Sequence, residues 1–286
     1  MEGSVEKLRG MRWMFPLAVV WVVSSCAVRH EPAAAEKVER PAAEVAAPVV
    51  EAAEVSQGPL EATRATRVTL SGIEFEGVAF DARVGRLRVV DQEQGPGSKF
   101  ADAGEAATSC AGLAAVNAGF FTPEGAPLGL VVAGGKVRGT WNSGSSLGSG
   151  VWCEAGDGTC AIRRREAIGR GAAGGMRELL QAGPMLVEGQ RAVSGLESEK
   201  TSARTVIAWD GGSRWWIGRT PPCTLADLAR ALASSGPAGW PVKSALNLDG
   251  GRSSELWVSS KVPGGPVSRR PMWNRPVRNF LVLVGR

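Results

Sequence analysis

Short apolar segments joined by tight glycine turns restrict this fold most, because such turns connect neighbouring antiparallel strands. Ala133-Gly-Gly lies between apolar segments 128–132 and 136–140, and Glu188-Gly189 and Gly211-Gly212 lie between similar pairs. We therefore expect three β-hairpins. The apolar runs 244–248 and 279–284 have the length and composition of central strands.

Helical patterns are few in this sequence. Thr224 can cap a helix and is followed three residues later by Asp227, as in a capping box. Leu225 and Leu228 begin an apolar stripe after it, and residues 99–109 also have helical spacing. Strands and a few helices without regular alternation predict an α+β single domain with a mixed, mainly antiparallel sheet.

The N-terminal segment has the layout of a secretory signal. An apolar stretch over residues 13–23, too short to span a bilayer comfortably, follows basic residues and ends in small residues before Cys26. Val23-Ser24-Ser25-Cys26 resembles the lipobox of bacterial lipoproteins, which implies that Cys26 is lipidated. A plain signal peptide and an uncleaved anchor helix are the alternatives. In each case the rest of the chain is expected outside the cytoplasm.

Residues 27–66 are rich in Ala, Glu, Val and Pro and contain no aromatic residue. Such a segment buries too little apolar surface to offset its ordering entropy, so we interpret it as a disordered tether rather than a frayed helix. The predicted organisation is a signal peptide at 1–25, a lipidated cysteine and tether at 26–66, and one domain at 67–286. The predicted location is extracytoplasmic, on a bacterial membrane, facing the periplasm or the cell surface.

Four cysteines lie in the predicted domain, and they can pair in three ways. Cys153 and Cys160 flank a Gly-Asp-Gly turn, which favours a disulfide between them. By elimination, Cys110 is then expected to pair with Cys223. The sequence has no C-x-x-C motif, so a zinc knuckle or a thioredoxin-like site is not indicated.

The single histidine, His30, lies in the predicted tether. The predicted domain therefore has no histidine for a Ser-His-Asp triad, a Cys–His pair or a histidine-ligated metal. Catalysis there depends on carboxylates, arginines, hydroxyls and backbone amides. The net charge of +5 is modest, and its densest basic run, residues 163–165, has no interleaved aromatic residue, so a nucleic-acid partner is not expected.

Polar residues recur where apolar strands meet glycine turns, in segments 117–121, 183–187, 202–205 and 247–254. The fourth of these segments reads Asn247-Leu-Asp-Gly-Gly-Arg-Ser-Ser254. With segments 125–130 and 275–280, in this order, they resemble the phosphodiester glycosidase family from about residue 67 to the C-terminus. The resemblance implies a hydrolase that acts on sugar 1-phosphodiesters.

Asp249 is the candidate catalytic carboxylate. Residues alternate faces along a strand, so Asn247 and Asp249 are expected to point the same way. Gly250 and Gly251 let the backbone approach a ligand or offer amides to an anion. A plain Asp-Gly turn is the alternative. No cofactor or metal is assigned, although the oxygens of Asp249 and Asn247 could hold a divalent cation.

Arg204 and Asn117 complete the expected catalytic set. An arginine at a strand mouth can grip a phosphate at two points, and a structural ion pair is the alternative. Asn117 can bond a sugar or orient Asp249, unless it only forms a turn. Glu255 is a possible second carboxylate. The expected substrate-binding residues are Asn247, Gly250, Gly251, Arg252, Ser253, Ser202 and Gly119.

The resemblance and these residues predict hydrolysis of sugar 1-phosphodiester bonds in envelope or exopolysaccharide glycans. The leaving group would be a phosphate monoester with a second pKa of about 6. One carboxylate could then suffice where an ordinary glycosidase needs two. The alternative function is a non-catalytic lipoprotein that binds envelope glycans. The expected partners are a carbohydrate phosphodiester and, through the lipid anchor, a membrane.

Overall fold

A computed structural model describes residues 62–286, so the expected signal peptide, Cys26 and the tether up to residue 61 lie outside the described residues. Within this range the strands pair antiparallel throughout and form three sheets. The predicted α+β class with mainly antiparallel strands is confirmed, with three sheets in place of one. No helix between residues 62 and 286 is long and apolar enough to cross a membrane.

The helices are α1 (Ala103–Thr108), α2 (Arg165–Ile168) and α3 (Leu225–Ser234), with short 3-10 turns at Ser146–Gly148, Arg170–Gly175 and Gly251–Ser253. The strands are β1 (Arg64–Leu70), β2 (Ile73–Asp81), β3 (Gly85–Asp91), β4 (Ala114–Asn117), β5 (Val131–Ala133), β6 (Lys136–Arg138), β7 (Gly150–Ala155), β8 (Cys160–Arg164), β9 (Met176–Ala182), β10 (Met185–Glu188), β11 (Arg191–Ala192), β12 (Ser202–Trp209), β13 (Arg214–Cys223), β14 (Ser244–Asn247), β15 (Leu256–Val258), β16 (Val267–Arg269) and β17 (Asn279–Gly285).

The three sheets enclose one central apolar core. The first sheet has the order β1-β2-β13-β12-β14-β10-β11, the second β16-β15-β4-β17-β3 and the third β6-β5-β9-β7-β8. Ile217, Leu281 and Trp152, one from each sheet, are buried in this core. A separate apolar cluster packs α3 on the outer face of the first sheet, and α1 packs on the second sheet. The first two sheets therefore meet at their inner faces, which is where the candidate site lies.

The locally predicted elements are confirmed. β5–β6, β10–β11 and β12–β13 are the three hairpins. Thr224 caps α3, and its Oγ1 accepts a hydrogen bond of 3.0 Å from the Asp227 amide. The helix expected over residues 99–109 is shorter, because the Asp102 side chain caps α1 just before Ala103. β1 begins at Arg64, before the expected domain start at residue 67.

A pair of glycines makes room for Trp216 on the outer face of the first sheet. Gly77 and Gly218 face each other across β2 and β13. A Cβ on either glycine would lie 2.5 Å from the Trp216 ring. The indole is fully buried, and its Nε1 donates to Thr66 Oγ1 at 2.8 Å. Both positions therefore exclude any side chain.

Gly218→Ala is expected to lower the free energy of unfolding by about 1–3 kcal/mol, the usual cost of overpacking a core. Urea titration followed by tryptophan fluorescence measures this change. The matched control is Gly285→Ala at the end of β17, where a new Cβ meets nothing within 4 Å. Equal stability of the two variants would show that the indole moves aside at little cost.

The predicted disulfides are wrong in this structure, where Cys110, Cys153, Cys160 and Cys223 are all free. In the β7–β8 ladder Cys153 faces Ala161, and Cys160 faces Glu154. The two cysteines are thus one position out of register, and their side chains lie on opposite faces of the sheet. Cys153 packs with the outer cluster of this sheet, whereas Cys160 packs on the central core.

The second predicted disulfide fails because its cysteines belong to different apolar clusters. Cys110 follows α1 and packs with the cluster on the second sheet. Cys223 lies in the α3 cluster, with its Sγ 3.3 Å from Thr220 Oγ1. Burial raises the pKa of both thiols, so they stay protonated at neutral pH and react slowly.

Candidate active site

The segment that follows β14 crosses from the first sheet to the second. The Leu248 amide donates to the Thr205 carbonyl of β12 at 2.8 Å. One residue later, the Asp249 amide donates to the Ala118 carbonyl, just beyond β4, at 2.9 Å. Asp249 is therefore held by backbone bonds at the line where the two sheets meet.

Asn117, the last residue of β4, fixes this crossing. Its side chain is fully buried, and Nδ2 donates to the Asp249 carbonyl at 2.6 Å. Its Oδ1 accepts from Thr205 Oγ1 at 2.7 Å and from the Glu255 amide at 3.1 Å. The two donors and the carbonyl acceptor define the orientation of the amide. Asn117 thus contacts Asp249 through the backbone and positions the carboxylate indirectly.

Thr205 is a member of the site that was not among the expected site residues, although it ends the polar segment 202–205. It is fully buried, and its Oγ1 lies 3.0 Å from Ser254 Oγ as well as bonding Asn117. The signal for it in the sequence is its place in segment 202–205, where it supplies a hydroxyl at the start of the apolar run of β12. Ser254 Oγ also donates to the Arg204 carbonyl at 3.3 Å. The hydroxyls of Thr205 and Ser254 therefore link β12 to the segment just before β15.

Gly250 and Gly251 let the loop after Asp249 lie directly on the start of β12. A Cβ on Gly250 would be 2.5 Å from the Ala203 carbonyl oxygen. Gly251 has φ +62°, and its Cβ would lie 3.1 Å from Ser202 Oγ. The structure thus brings Ser202, Gly250 and Gly251 to one place beside Asp249.

The Asp249 carboxylate is half-buried, and burial raises its pKa. Hydrogen bonds from Ser253 and from the Gly250 amide oppose this effect, as does the positive charge of Arg275. The Gly250 amide lies 2.9 Å from Asp249 Oδ1. A carboxylate whose ionisation is balanced between burial and nearby donors is a typical candidate for catalysis.

A loop before β17 brings further cations to the site. The Arg275 guanidinium lies 5.1 Å from the centre of the Phe121 ring. Arg252, exposed in the Asp249 loop, donates through Nε to the Trp273 carbonyl at 2.8 Å. Trp273 is 74% exposed. The Asp249 loop and this second loop are therefore joined, with two arginines and an accessible indole around them.

The Arg204 side chain bonds backbone carbonyls in this structure. Its Nε donates to the Cys223 carbonyl and one Nη to the Lys200 carbonyl, both at 3.1 Å. It leaves β12 on the face opposite to Thr205, because adjacent strand residues alternate. Its backbone carbonyl reaches the site through Ser254. Its expected role as a ligand of the phosphate stays a prediction.

Asn247 and Gly119 are structural neighbours of Asp249. Asn247 is buried, and its Nδ2 donates to the carbonyls of Gly183 and Leu248 at 2.9 and 2.8 Å. The Gly119 amide donates to Asn279 Oδ1 at 2.7 Å. The geometry supports backbone positioning by Asn247 and Gly119.

In residues 62–286 no cluster of three or more histidine, cysteine or acidic side chains could hold a metal ion.

Glu255 is close to the site in sequence, but its side chain points to α1. It is 1% exposed, and its Oε2 accepts from the Ala103 amide at 3.2 Å. Burial raises the pKa of Glu255 to about 7, although the Ala103 amide and Arg270 lower it and Asp102 adds a like charge. Arg270 Nε lies 3.6 Å from the same Oε2.

The raised pKa of Glu255 predicts a pH-dependent stability. The folded state holds the Glu255 proton more tightly than the unfolded chain does. The contribution of protonated Glu255 to the free energy of unfolding is therefore complete below the unfolded pKa of 4.5 and is lost as the pH rises through about 7. The loss at pH 8 is roughly 3 kcal/mol. Glu255→Gln should therefore lose less stability than the wild type between pH 5 and pH 8.

Urea unfolding at the two pH values measures this difference. Glu124→Gln, at an exposed position, serves as the control and should follow the wild type. A Glu255→Gln protein with the wild-type pH profile would contradict the assignment.

Comparisons of the sequence and of the fold identify a protein family and several solved structures that are similar to this chain. A family model described as phosphodiester glycosidase matches residues 112–284, more than half of the chain. This range contains Asn117, Arg204 and Asn247 to Ser254. No curated protein matches the sequence significantly.

Solved structures share the fold at low sequence identity. The catalytic domain of zebrafish N-acetylglucosamine-1-phosphodiester alpha-N-acetylglucosaminidase has a TM-score of 0.53 and 18% identity, over 78% of this chain and 82% of that chain. A hypothetical protein from Synechocystis has a TM-score of 0.52 and 17% identity, over 78% of this chain and 61% of that one. A Burkholderia pseudomallei protein described as exported has a TM-score of 0.50 and 14% identity, over 74% of each chain.

Proposed function

Because the chain belongs to the phosphodiester glycosidase family, we propose that it hydrolyses sugar 1-phosphodiester bonds in envelope or exopolysaccharide glycans, outside the cytoplasm. The observation that carries this proposal is the Asp249 carboxylate. It is half-buried, its backbone is held by Asn117, and the Gly250 amide, Ser253 and Arg275 surround it. This arrangement suits attack at a carbon whose leaving group departs as an anion.

The proposed reaction breaks the bond between the anomeric carbon and the phosphate oxygen. The oxygen of water ends on the sugar carbon, and the bonding electrons leave with a phosphate monoester. Asp249 acts either as the base that takes a proton from water or as a nucleophile that forms a covalent glycosyl intermediate. The phosphate leaves without protonation, so a second carboxylate is not needed.

Positive charge and backbone amides would stabilise the departing phosphate. Arg275 is the cation whose charge acts on Asp249, and the amides of the Asp249 loop lie beside it. Arg204 is proposed as a further phosphate ligand. It would have to exchange its bonds to the Cys223 and Lys200 carbonyls for bonds to substrate.

Incubating the purified protein with a panel of sugar 1-phosphodiesters in ¹⁸O-labelled water tests this function. N-acetylglucosamine 1-phosphodiesters come first in the panel because the zebrafish enzyme is named for that linkage. Release of sugar with ¹⁸O on its anomeric carbon supports the proposal. Label on phosphate would instead mark a phosphodiesterase. Binding of the glycans without release would favour the non-catalytic glycan-binding lipoprotein.

The membrane anchor is a separate prediction that rests on Cys26, outside the described residues. Cys26→Ser should abolish labelling by radioactive palmitate and move the protein from the membrane fraction to the soluble fraction. A Cys153→Ser protein, altered within the domain, should keep both labelling and fractionation. Unchanged fractionation of Cys26→Ser would reject lipidation at this residue.

A further inference from the structure

A cleft of about 430 Å³ opens between the first two sheets, away from Asp249. It lies between β1 and β2 on one side and the β15–β16 hairpin on the other, and we call it the arginine cleft. Its charged lining comes from Arg67, Glu76 and Arg269, and its apolar lining includes Leu256 and Val267.

Positive charge exceeds negative charge around this cleft. Arg269 binds Glu76 with Nε and Nη2 at 3.0–3.2 Å. Arg67 Nη1 and Arg219 Nη1 lie 3.6 and 3.9 Å from Glu76 as well. Glu74 is the second carboxylate and pairs with Arg67 at 2.8 Å. The three arginines and two glutamates leave a local charge of one positive unit.

Arg219 is not in the lining of the cleft but lies next to Glu76, and it is the arginine of this group whose hydrogen bonds are incomplete. Its side chain is only 15% exposed, and its nearest carboxylate oxygen is the Glu76 atom at 3.9 Å, beyond hydrogen-bond distance. Its Nε is buried and has no partner within residues 62–286. Burial lowers the pKa of Arg219. A guanidinium that is largely removed from water and has an unpartnered buried Nε is costly, so an oxyanion beside it would be stabilised.

The arginine cleft is connected to the candidate active site through one strand pair. Arg219 in β13 faces Thr205 in β12, and Thr205 bonds the Asn117 side chain that holds Asp249. On the other side, Arg219 faces Glu76 in β2. A row of polar residues therefore runs on the inner face of the first sheet from the Asp249 site to the cleft.

We propose that Arg67 and Arg269 in the lining of the arginine cleft, with Arg219 next to Glu76, form a second subsite that binds a phosphoryl group of the substrate beyond the scissile linkage. This proposal rests on the proposed function and specifies its substrate class as a glycan that carries phosphate on successive units. Guanidinium groups match phosphate oxygens at two points. The apolar side chains of Leu256 and Val267 in the cleft can pack against the sugar that joins the two phosphates.

A kinetic comparison tests the subsite. One substrate is a sugar 1-phosphodiester with a neutral aglycone, and the other carries a second phosphoryl group on that aglycone. The wild type should prefer the second substrate in kcat/KM, and Arg219→Gln should reduce this preference about tenfold. Arg219→Lys should recover part of it. Arg230→Gln, at an exposed position of α3, is the control and should keep the full preference. Equal preference in wild type and Arg219→Gln would overturn the proposal.

Calorimetric titration with inorganic phosphate tests the subsite without turnover. The wild type should bind one more phosphate than Arg219→Gln. In urea this variant should be at least as stable as the wild type, because it lacks a largely buried charge whose contact with Glu76 is long. Lower stability of Arg219→Gln with unchanged phosphate binding would make Arg219 only a structural partner of Glu76. Phosphate binding that depends on Arg219, without a preference for the second phosphoryl group, would assign the cleft to free phosphate and reject a glycan subsite. If no substrate is turned over, the proposed function fails, and the titration still decides whether Arg219 binds phosphate.

Discussion

Asp249→Asn is expected to reduce kcat for sugar 1-phosphodiesters by about 10²- to 10⁴-fold, the range for loss of a positioned base. The amide has nearly the same shape as the carboxylate, so KM should change little. It can neither take a proton from water nor attack the sugar, and this loss affects mainly the transition state. Initial rates with saturating substrate measure the effect.

The stability of Asp249→Asn should equal or exceed that of the wild type, because burial disfavours the ionised carboxylate. Asp157→Asn, in the exposed β7–β8 turn, is the control and should keep full activity. In the wild type, activity should fall on the acidic side as Asp249 gains a proton, at a pH above that of an ordinary aspartate. Wild-type kcat in a folded Asp249→Asn protein would reject Asp249 as the catalytic carboxylate.

Asn117→Ala has the second large expected effect, on stability and activity together. It deprives the Asp249 carbonyl, Thr205 Oγ1 and the Glu255 amide of a buried partner. Thr205 Oγ1 can still bond Ser254, so two buried groups are left unsatisfied. The free energy of unfolding should fall by about 2–6 kcal/mol, since each such group costs about 1–3 kcal/mol. Because Asp249 is then displaced, kcat should also fall, by about 10²-fold. Urea unfolding and initial rates on the folded fraction measure the two effects.

Thr205→Val separates positioning from general destabilisation. It keeps the shape of the side chain, removes one bond to Asn117 and should cost about 1 kcal/mol. Because the Asn117 Nδ2 bond to Asp249 remains, kcat should stay near the wild-type value. If Asn117→Ala is as active as Thr205→Val once both are folded, Asn117 has no positioning role.

The elements that could be predicted from the sequence are those that depend on local chemistry. Glycine turns define the hairpins, and Thr224 with Asp227 defines the start of α3. Polar residues at strand ends identify Asn117 and the Asp249 loop, which the structure joins by a hydrogen bond. The division into three sheets was not predictable in this way, because β2 pairs with β13, far along the chain.

The side chains within strands were harder to assign from the sequence. Arg219 lies inside β13, where nothing local distinguishes a site residue from a core residue. Thr205 ends the polar segment 202–205, but nothing there separates it from the apolar run of β12 that it begins. The Cys153–Cys160 prediction failed by a single residue of register, which moves a side chain to the other face of a sheet. Arg204 points away from Thr205 by the same alternation, and Arg275 reaches Asp249 from a separate loop.

The contact between Asn117 and Asp249 has a consequence for when the protein becomes active. It joins residues 132 positions apart, and β4 is completed only by β17 at the end of the chain. Asn279 of β17 also binds the Gly119 amide, 160 positions away. Contacts of such long range form late in folding. A partly synthesised chain that lacks β17 therefore has no assembled site, and we expect activity only after β17 has joined the second sheet.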